Sequence, residues 1–208
     1  MSDLRGLLVD FGGVLTTNVF DSFKAFGESE GLDAGAVKRA FREDREALAL
    51  LRRLERGEID VEHFEPAFAE RLGLDEARAD GLVGRLFGGI GPDERMLEAV
   101  RRAGSAGIAT GLISNSWGTG IDYDPSLLDE LFNAVVISGD VGMHKPEPAI
   151  FMLGAERLGL RPEECVFVDD LRENCAGAEE VGMCAILHRG ADQTLPELER
   201  LLGVSLGG

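Results

Sequence analysis

The sequence predicts an α/β chain: a Rossmann-like parallel sheet wrapped by helices, with an α-helical cap inserted after the first strand. A single short apolar run, Leu7-Leu8-Val9, stands near the start and ends in Asp10-Phe11-Gly12-Gly13. From about residue 19 to residue 88 apolar residues recur at helical spacing with no strand among them. From Pro92 onward short apolar runs alternate with helical stretches. That rhythm belongs to parallel strands joined by helical crossovers, which bury both faces of a sheet. The expected division is a core of residues 1–16 and 91–208 and a cap of residues 17–90.

Each element has its own signal. Leu7-Leu8-Val9 is short, apolar and closed by glycines, as a buried strand before a tight turn should be. In the cap, Phe20, Phe23 and Phe26 fall on one helix face, and Val37, Phe41, Leu48 and Leu51 mark a longer helix entered from Asp33 and ended by Gly57. Phe64, Phe68 and Leu72 line a helix started by Asp60, and Leu82, Leu86 and Phe87 suggest another before Gly88-Gly89-Ile90-Gly91-Pro92 breaks the pattern. Beyond Pro92 the expected order is a helix to about Ala103, strand 108–113, a helix after Asp124-Pro125 and strand 134–137. A helix after Pro146, strand 166–168, a helix through Ala176 to Val181, strand 184–187 and a helix from Leu195 complete it.

A chain of 208 residues holds one core with a modest insertion, not two full enzyme domains. With 44% hydrophobic and 28% charged residues it has the composition of a folded globular protein. Lys and Arg number 21 against 38 Asp and Glu, a net charge of -17, and no basic stretch exceeds a pair such as Arg52-Arg53. That balance lacks the footprint of a duplex-binding surface, so nucleic acid is not an expected partner. The same field repels a phosphorylated or carboxylated substrate unless a cation stands at the site, which calls for a divalent metal. Cys165, Cys175 and Cys184 show no CxxC spacing and are odd in number, against a disulfide framework or a zinc site and in keeping with a reducing cytoplasm. No leader and no membrane-spanning run are visible, so a soluble cytoplasmic protein is expected. Nothing in the sequence sets its oligomeric state.

In an open parallel sheet, ligands bind beyond the carboxyl ends of the strands. Asp10 follows the first strand, Ser114-Asn115 the second and Asp169-Asp170 the fourth, while Lys145 lies in the loop after the third. Taken singly, the acids read as turn or helix caps, Ser114-Asn115 as a turn and Lys145 as a surface charge. Taken together, an acid, a hydroxyl, a lysine and an acid pair after four separate strands point to one crevice. Lys145 is one of 3 lysines against 18 arginines, which suggests that a compact charge is required there.

In these residues the chain resembles the haloacid dehalogenase-like hydrolase superfamily, whose four motifs match Val9 to Leu15, Leu112 to Asn115, Lys145 to Pro148 and Val166 to Asn174. The resemblance extends over about residues 4–202, and Ser114-Asn115-Ser116-Trp117 with Val141 to Pro148 is most similar to the amino-terminal phosphatase domain of soluble epoxide hydrolases. It implies a Mg2+-dependent phosphatase acting on a small phosphorylated substrate. Asp10 would be the nucleophile that forms an aspartyl-phosphate. Asp10, the main-chain carbonyl of Gly12 and Asp170 would hold Mg2+, with Asp169 and Asn174 behind them. Ser114, Asn115 and Lys145 would bind the phosphoryl oxygens, Lys145 also neutralising charge during transfer.

One departure stands out. The family's phosphatases carry a second aspartate two residues after the nucleophile as general acid and base, and here that position is Gly12. Thr16, Thr17, His63 or a cap carboxylate are the candidates to replace it, and an exposed helix-face position is the plainer reading of His63. His144 and His188 are read as structural. The cap phenylalanines are read mainly as helix-packing core, and Trp117 equally as a pocket floor or a cap-docking residue. Two other readings share the motifs. Dehalogenation of 2-haloacids uses the same aspartate on carbon without a metal, yet Asp169-Asp170 would repel its carboxylate substrate. A catalytically weakened member kept as a binding or regulatory module also fits Gly12, against the presence of Asp10, Ser114, Lys145 and Asp170.

Overall fold

The structure, a computed structural model, describes residues 4–117 and 123–207. Among them, β1 (Gly6–Val9), β2 (Ala109–Ser114), β3 (Ala134–Ile137), β4 (Cys165–Asp169) and β5 (Cys184–Leu187) form one sheet in the order β3-β2-β1-β4-β5. Every pairing is parallel, and Val9 stands opposite both Leu112 and Val168, so the carboxyl ends of the three central strands open on one edge. Alternate side chains face opposite layers, as the period of a strand demands. Leu7, Val9, Leu112 and Val168 pack beneath α6 (Glu94–Ser105), α7 (Pro125–Leu131) and α11 (Ala191–Leu202). Leu8, Ile113 and Phe167 pack beneath α9 (Pro148–Arg157) and α10 (Arg172–Glu180). With helices on both sides, β1 and β4 are buried throughout.

Between β1 and β2 the chain makes a helical insert of α1 (Val19–Ser29), α2 (Ala36–Glu43), α3 (Arg45–Glu55), α4 (Val61–Leu72) and α5 (Leu82–Phe87). The insert has its own apolar cluster, in which Phe64 and Phe68 are fully buried. Glu65, buried in that cluster, accepts hydrogen bonds from the N–H groups of Gly81 (2.9 Å) and Val83 (2.8 Å) and so satisfies the start of α5. The chain enters and leaves the insert side by side: Thr17 N–H donates to Gly91 O (2.8 Å) and Asp93 N–H to Leu15 O (2.9 Å).

Three details differ from the sequence reading. The single helix expected from Asp33 through Leu51 is two, broken at Asp44, whose extended backbone and carboxylate cap α3 by accepting from Glu46 N–H (2.9 Å) and Ala47 N–H (3.3 Å). The apolar spacing hides the break because Phe41 and Leu48 are seven residues apart, two helical turns. The last helix begins at Ala191, not Leu195, and a short helix, α8 (Ser138–Val141), follows β3 where a loop was expected. Among the described residues no helix is long and apolar enough to cross a membrane.

Candidate active site

Asp10 is the first residue past β1, and its N–H is tied to Val168 O of β4 at 2.9 Å. Its carboxylate accepts from Phe11 N–H (2.7 Å) and from Lys145 Nζ (2.7 Å). Lys145 reaches this point because Asn115 grips its backbone in both directions: Lys145 N–H donates to Asn115 Oδ1 (2.9 Å) and Asn115 Nδ2 donates to Lys145 O (3.2 Å). The ammonium also donates to Asp169 Oδ2 at 2.8 Å and lies 5.5 Å above the Phe167 ring. Asp169, wholly buried, is further held by Leu171 N–H (2.8 Å) and by Asn174 Nδ2, 3.0 Å from each oxygen.

Gly13 turns the chain at φ +76°, and a Cβ there would lie 2.7 Å from Asp170 Oδ2. Glycine therefore lets the loop after β1 pass directly over the Asp170 carboxylate. Oxygens of Asp10, Asp169 and Asp170 all lie within 4.8 Å of one another. Ser114, at the end of β2 and buried, shares a 2.9 Å hydrogen bond with the hydroxyl of Tyr123, whose ring meets Phe11 edge-on at 4.9 Å.

The electrostatics follow from burying this cluster. Burial raises the Asp10 carboxyl to about 8, with Lys145 pulling it down and Asp169 and Asp170 adding to the rise. Asp170 is raised to about 6 by burial and by Asp169. Burial works against the Lys145 ammonium, but the flanking carboxylates Asp10 and Asp169 outweigh it and hold its pKa above the ordinary lysine value. Three carboxylates thus face one lysine, an excess of negative charge that a hard cation with oxygen ligands would neutralise. The donor set fits Mg2+, since the groups that converge there are carboxylate oxygens, with no sulfur or imidazole among the residues gathered.

The expected residues come together. Asp10, Gly12, Ser114, Asn115, Lys145, Asp170 and Asn174 line one cavity of about 1020 Å³, and Asp169 sits beneath it, bonded to Lys145 and Asn174. The insert roofs the cavity with Phe20, Phe23 and Phe41 among others, whereas Phe64 and Phe68 are fully buried in the insert's own core. Trp117 combines both sequence readings, lining the cavity and packing on Phe23, Phe41, Phe64 and Phe87.

Of the other polar candidates, Thr16 lines the cavity as well, while the histidines are engaged elsewhere. His63 is exposed and pairs with Asp60 at 2.5 Å, while Thr16 Oγ1 accepts from Gly13 N–H at 2.9 Å. His144 and His188 are buried, their Nδ1 atoms 2.6 Å from Lys145 O and 2.9 Å from Thr194 Oγ1. Two residues of the site were not singled out by sequence. Tyr123 is the chain's one tyrosine but lies outside any motif, and Glu55 sits in an ordinary amphipathic run.

Known proteins share the chain's sequence pattern and fold. The family profile described as haloacid dehalogenase-like hydrolase matches residues 4–182. The chain is 29% identical over 221 residues to bifunctional epoxide hydrolase 2 of Sus scrofa, covering 98% of this chain and 40% of that protein. It is 41% identical over 70 residues to the glyceraldehyde 3-phosphate phosphatase of Methanopyrus kandleri, covering 33% of this chain and 30% of that one. This chain thus matches less than half the length of either relative. Among solved structures, an enzyme of the same family from Bacteroides thetaiotaomicron, an Asp-to-Ala mutant in complex with magnesium and inorganic phosphate, superposes with a TM-score of 0.66 at 22% identity. That match covers 92% of this chain and 97% of that one. A parallel sheet with its acids, hydroxyl and lysine gathered at one edge, and a family match over most of its length, make this chain a member of the haloacid dehalogenase-like hydrolases.

Proposed function

We propose that the chain is a Mg2+-dependent phosphatase that hydrolyses a small phosphorylated molecule through a phosphoryl-aspartate on Asp10, the reaction being roofed by a cap of residues 17–90. The observation that carries this reading is the Asp10 carboxylate, presented to the cavity in contact with Lys145 and within 4.8 Å of the Asp170 carboxylate. A nucleophile, a fixed cation and a hard-metal donor set in one place are the parts a phosphoryl transfer needs. The phosphatase name of the archaeal relative and the magnesium and phosphate bound to the bacterial neighbour support the same reading.

In this reading Asp10, Asp170 and the carbonyl of Gly12 hold Mg2+, which supplies charge neutralisation for the incoming phosphoryl group. Asp10 attacks phosphorus and the bond to the ester oxygen breaks; water then cleaves the acyl phosphate. Lys145 stays protonated between Asp10 and Asp169 and offers positive charge to the phosphoryl oxygens as they pass. Asp169 and Asn174 keep that ammonium in place, and Ser114 and Asn115, which line the same cavity, serve the remaining oxygens. Apolar side chains dominate the roof, so the organic part of the substrate meets aromatic and aliphatic walls.

Purified protein should release inorganic phosphate from a panel of organic phosphates with Mg2+. EDTA or Asp10→Asn should abolish the release. Hydrolysis that persists under either condition would overturn the proposal.

A further inference from the structure

A reaction that makes alcohol from a phosphate ester must protonate the departing oxygen, and Gly12 has no proton to give. A Cβ at that position would meet Val19 Cγ2 at 3.2 Å, and the polar side chains that follow it and line the cavity, Thr16 and Asn18, are a hydroxyl and an amide, neither of them a carboxylic acid. In an in-line displacement the attacking and leaving oxygens lie on opposite sides of phosphorus. With Asp10 on the floor, the leaving oxygen points at the roof. The charged residues that the helical insert contributes to the cavity, among those described, are Lys38, Arg42 and Glu55, and Glu55 alone among them is an acid. An arginine keeps its proton under all ordinary conditions.

Glu55 is also the best anchored of the three. It is the last residue of α3, and its carbonyl accepts from the hydroxyl of Ser138, a fully buried residue whose Oγ in turn accepts from Ser116 N–H at 2.7 Å. The next residue, Arg56, forms an ion pair with Glu147 of the loop that carries Lys145. Gly57 then turns at φ +69° so close to the start of α8 that a Cβ would lie 2.7 Å from Gly139 O. These contacts fasten the end of α3 to the loops after β2 and β3. The Glu55 side chain lines the cavity together with Asn115, the residue that also grips Lys145. Burial raises the carboxyl to about 7, against the lowering pull of Lys145, Asn115, Arg52 and Arg56. Near neutral pH both its protonated and ionised forms are then available, which suits a group that must give a proton and take one back.

We propose that Glu55 is the general acid and base of the hydrolysis, taking from the cap the role that Gly12 cannot fill; the proposal rests on the phosphatase reading above. As Asp10 oxygen bonds to phosphorus and the phosphorus–ester oxygen bond breaks, Glu55 gives its proton to that oxygen and the alcohol leaves. Glu55, now ionised, takes a proton from a water whose oxygen attacks the same phosphorus from the roof side. The bond to Asp10 breaks, releasing inorganic phosphate, the free Asp10 carboxylate and protonated Glu55.

The test compares two phosphate esters with Mg2+ present, using the full chain and its Glu55→Gln variant. Glycerol phosphate has a leaving group that needs a proton, and p-nitrophenyl phosphate has one that leaves as the anion. The variant should lose about 10²-fold in kcat/KM for glycerol phosphate, the size of a general-acid contribution. Its kcat/KM for p-nitrophenyl phosphate should stay within a few-fold of wild type. It should also show a burst of nitrophenolate equal to the enzyme concentration, followed by slow turnover, because the base for the second step is gone. Equal loss of kcat/KM on both esters, or no loss on either, overturns the role of Glu55 while leaving an active wild type as a phosphatase. Wild type that releases phosphate from neither of these esters nor from any other in the panel above overturns the phosphatase reading and this one with it.

Discussion

Lys145 is the residue on which the site's electrostatics turn, since its ammonium is almost completely buried and pairs with Asp10 and Asp169 at once. Removing one partner of a buried ion pair leaves uncompensated charge and costs about 3–5 kcal/mol. Lys145→Met should therefore lower unfolding stability by an amount of that order in urea titrations and also remove phosphate release. A variant as stable as wild type would show that the pair is not a structural strut. At this scale Asp10, Ser114, Asn115, Lys145, Asp169 and Asp170 were legible because each follows an apolar strand. Glu55 was not, because nothing in the pattern of α3 distinguishes a carboxylate facing a cavity from one facing water. Only the fastening of the helix end to the core separates it from the exposed Glu43 or Glu46.

Among elements, the contact between α3 and the β2 and β3 loops sets where the roof stands over the floor. Gly57→Ala would add a methyl to a left-handed turn and press it on the Gly139 carbonyl. Strained backbone of this kind costs about 1–3 kcal/mol. The expected outcome is a lower Tm, together with weaker phosphate release as the end of α3 moves. Ser138→Ala removes the hydroxyl bridging Ser116 N–H and Glu55 O, and a buried unsatisfied group costs about 1–3 kcal/mol, so it should shift Tm in the same direction. Neither contact is visible in sequence, because both join residues far apart in the chain. The break at Asp44 was missed for a different reason: hydrophobic spacing records which face is apolar, while a cap is a local backbone event that leaves that spacing intact.

Across the whole molecule, the strand order and the helical insert were legible because the switch in rhythm at Pro92 spans many residues and parallel crossovers have few alternatives. The acidity of the chain has a thermodynamic consequence. Asp10, Glu55 and Asp170 are raised to about 8, 7 and 6, all above their ordinary values. In EDTA the folded protein then holds more protons than the unfolded one, so stability should fall as pH rises through roughly 4 to 8. Urea midpoints between pH 5 and 8 measure this directly, and a rising stability would contradict it. Mg2+ should recover the loss at the alkaline end, by about 2.7 kcal/mol at a hundredfold excess over its Kd.

Asp10 is the residue that carries the phosphoryl group in the proposed reaction. Acid quenching during turnover of p-nitrophenyl phosphate with Mg2+, followed by peptide mass analysis, tests this most directly. One added phosphoryl group is expected on the peptide bearing Asp10, in greater yield in Glu55→Gln. Turnover with that peptide unmodified, or with the phosphoryl group on another residue, would contradict it.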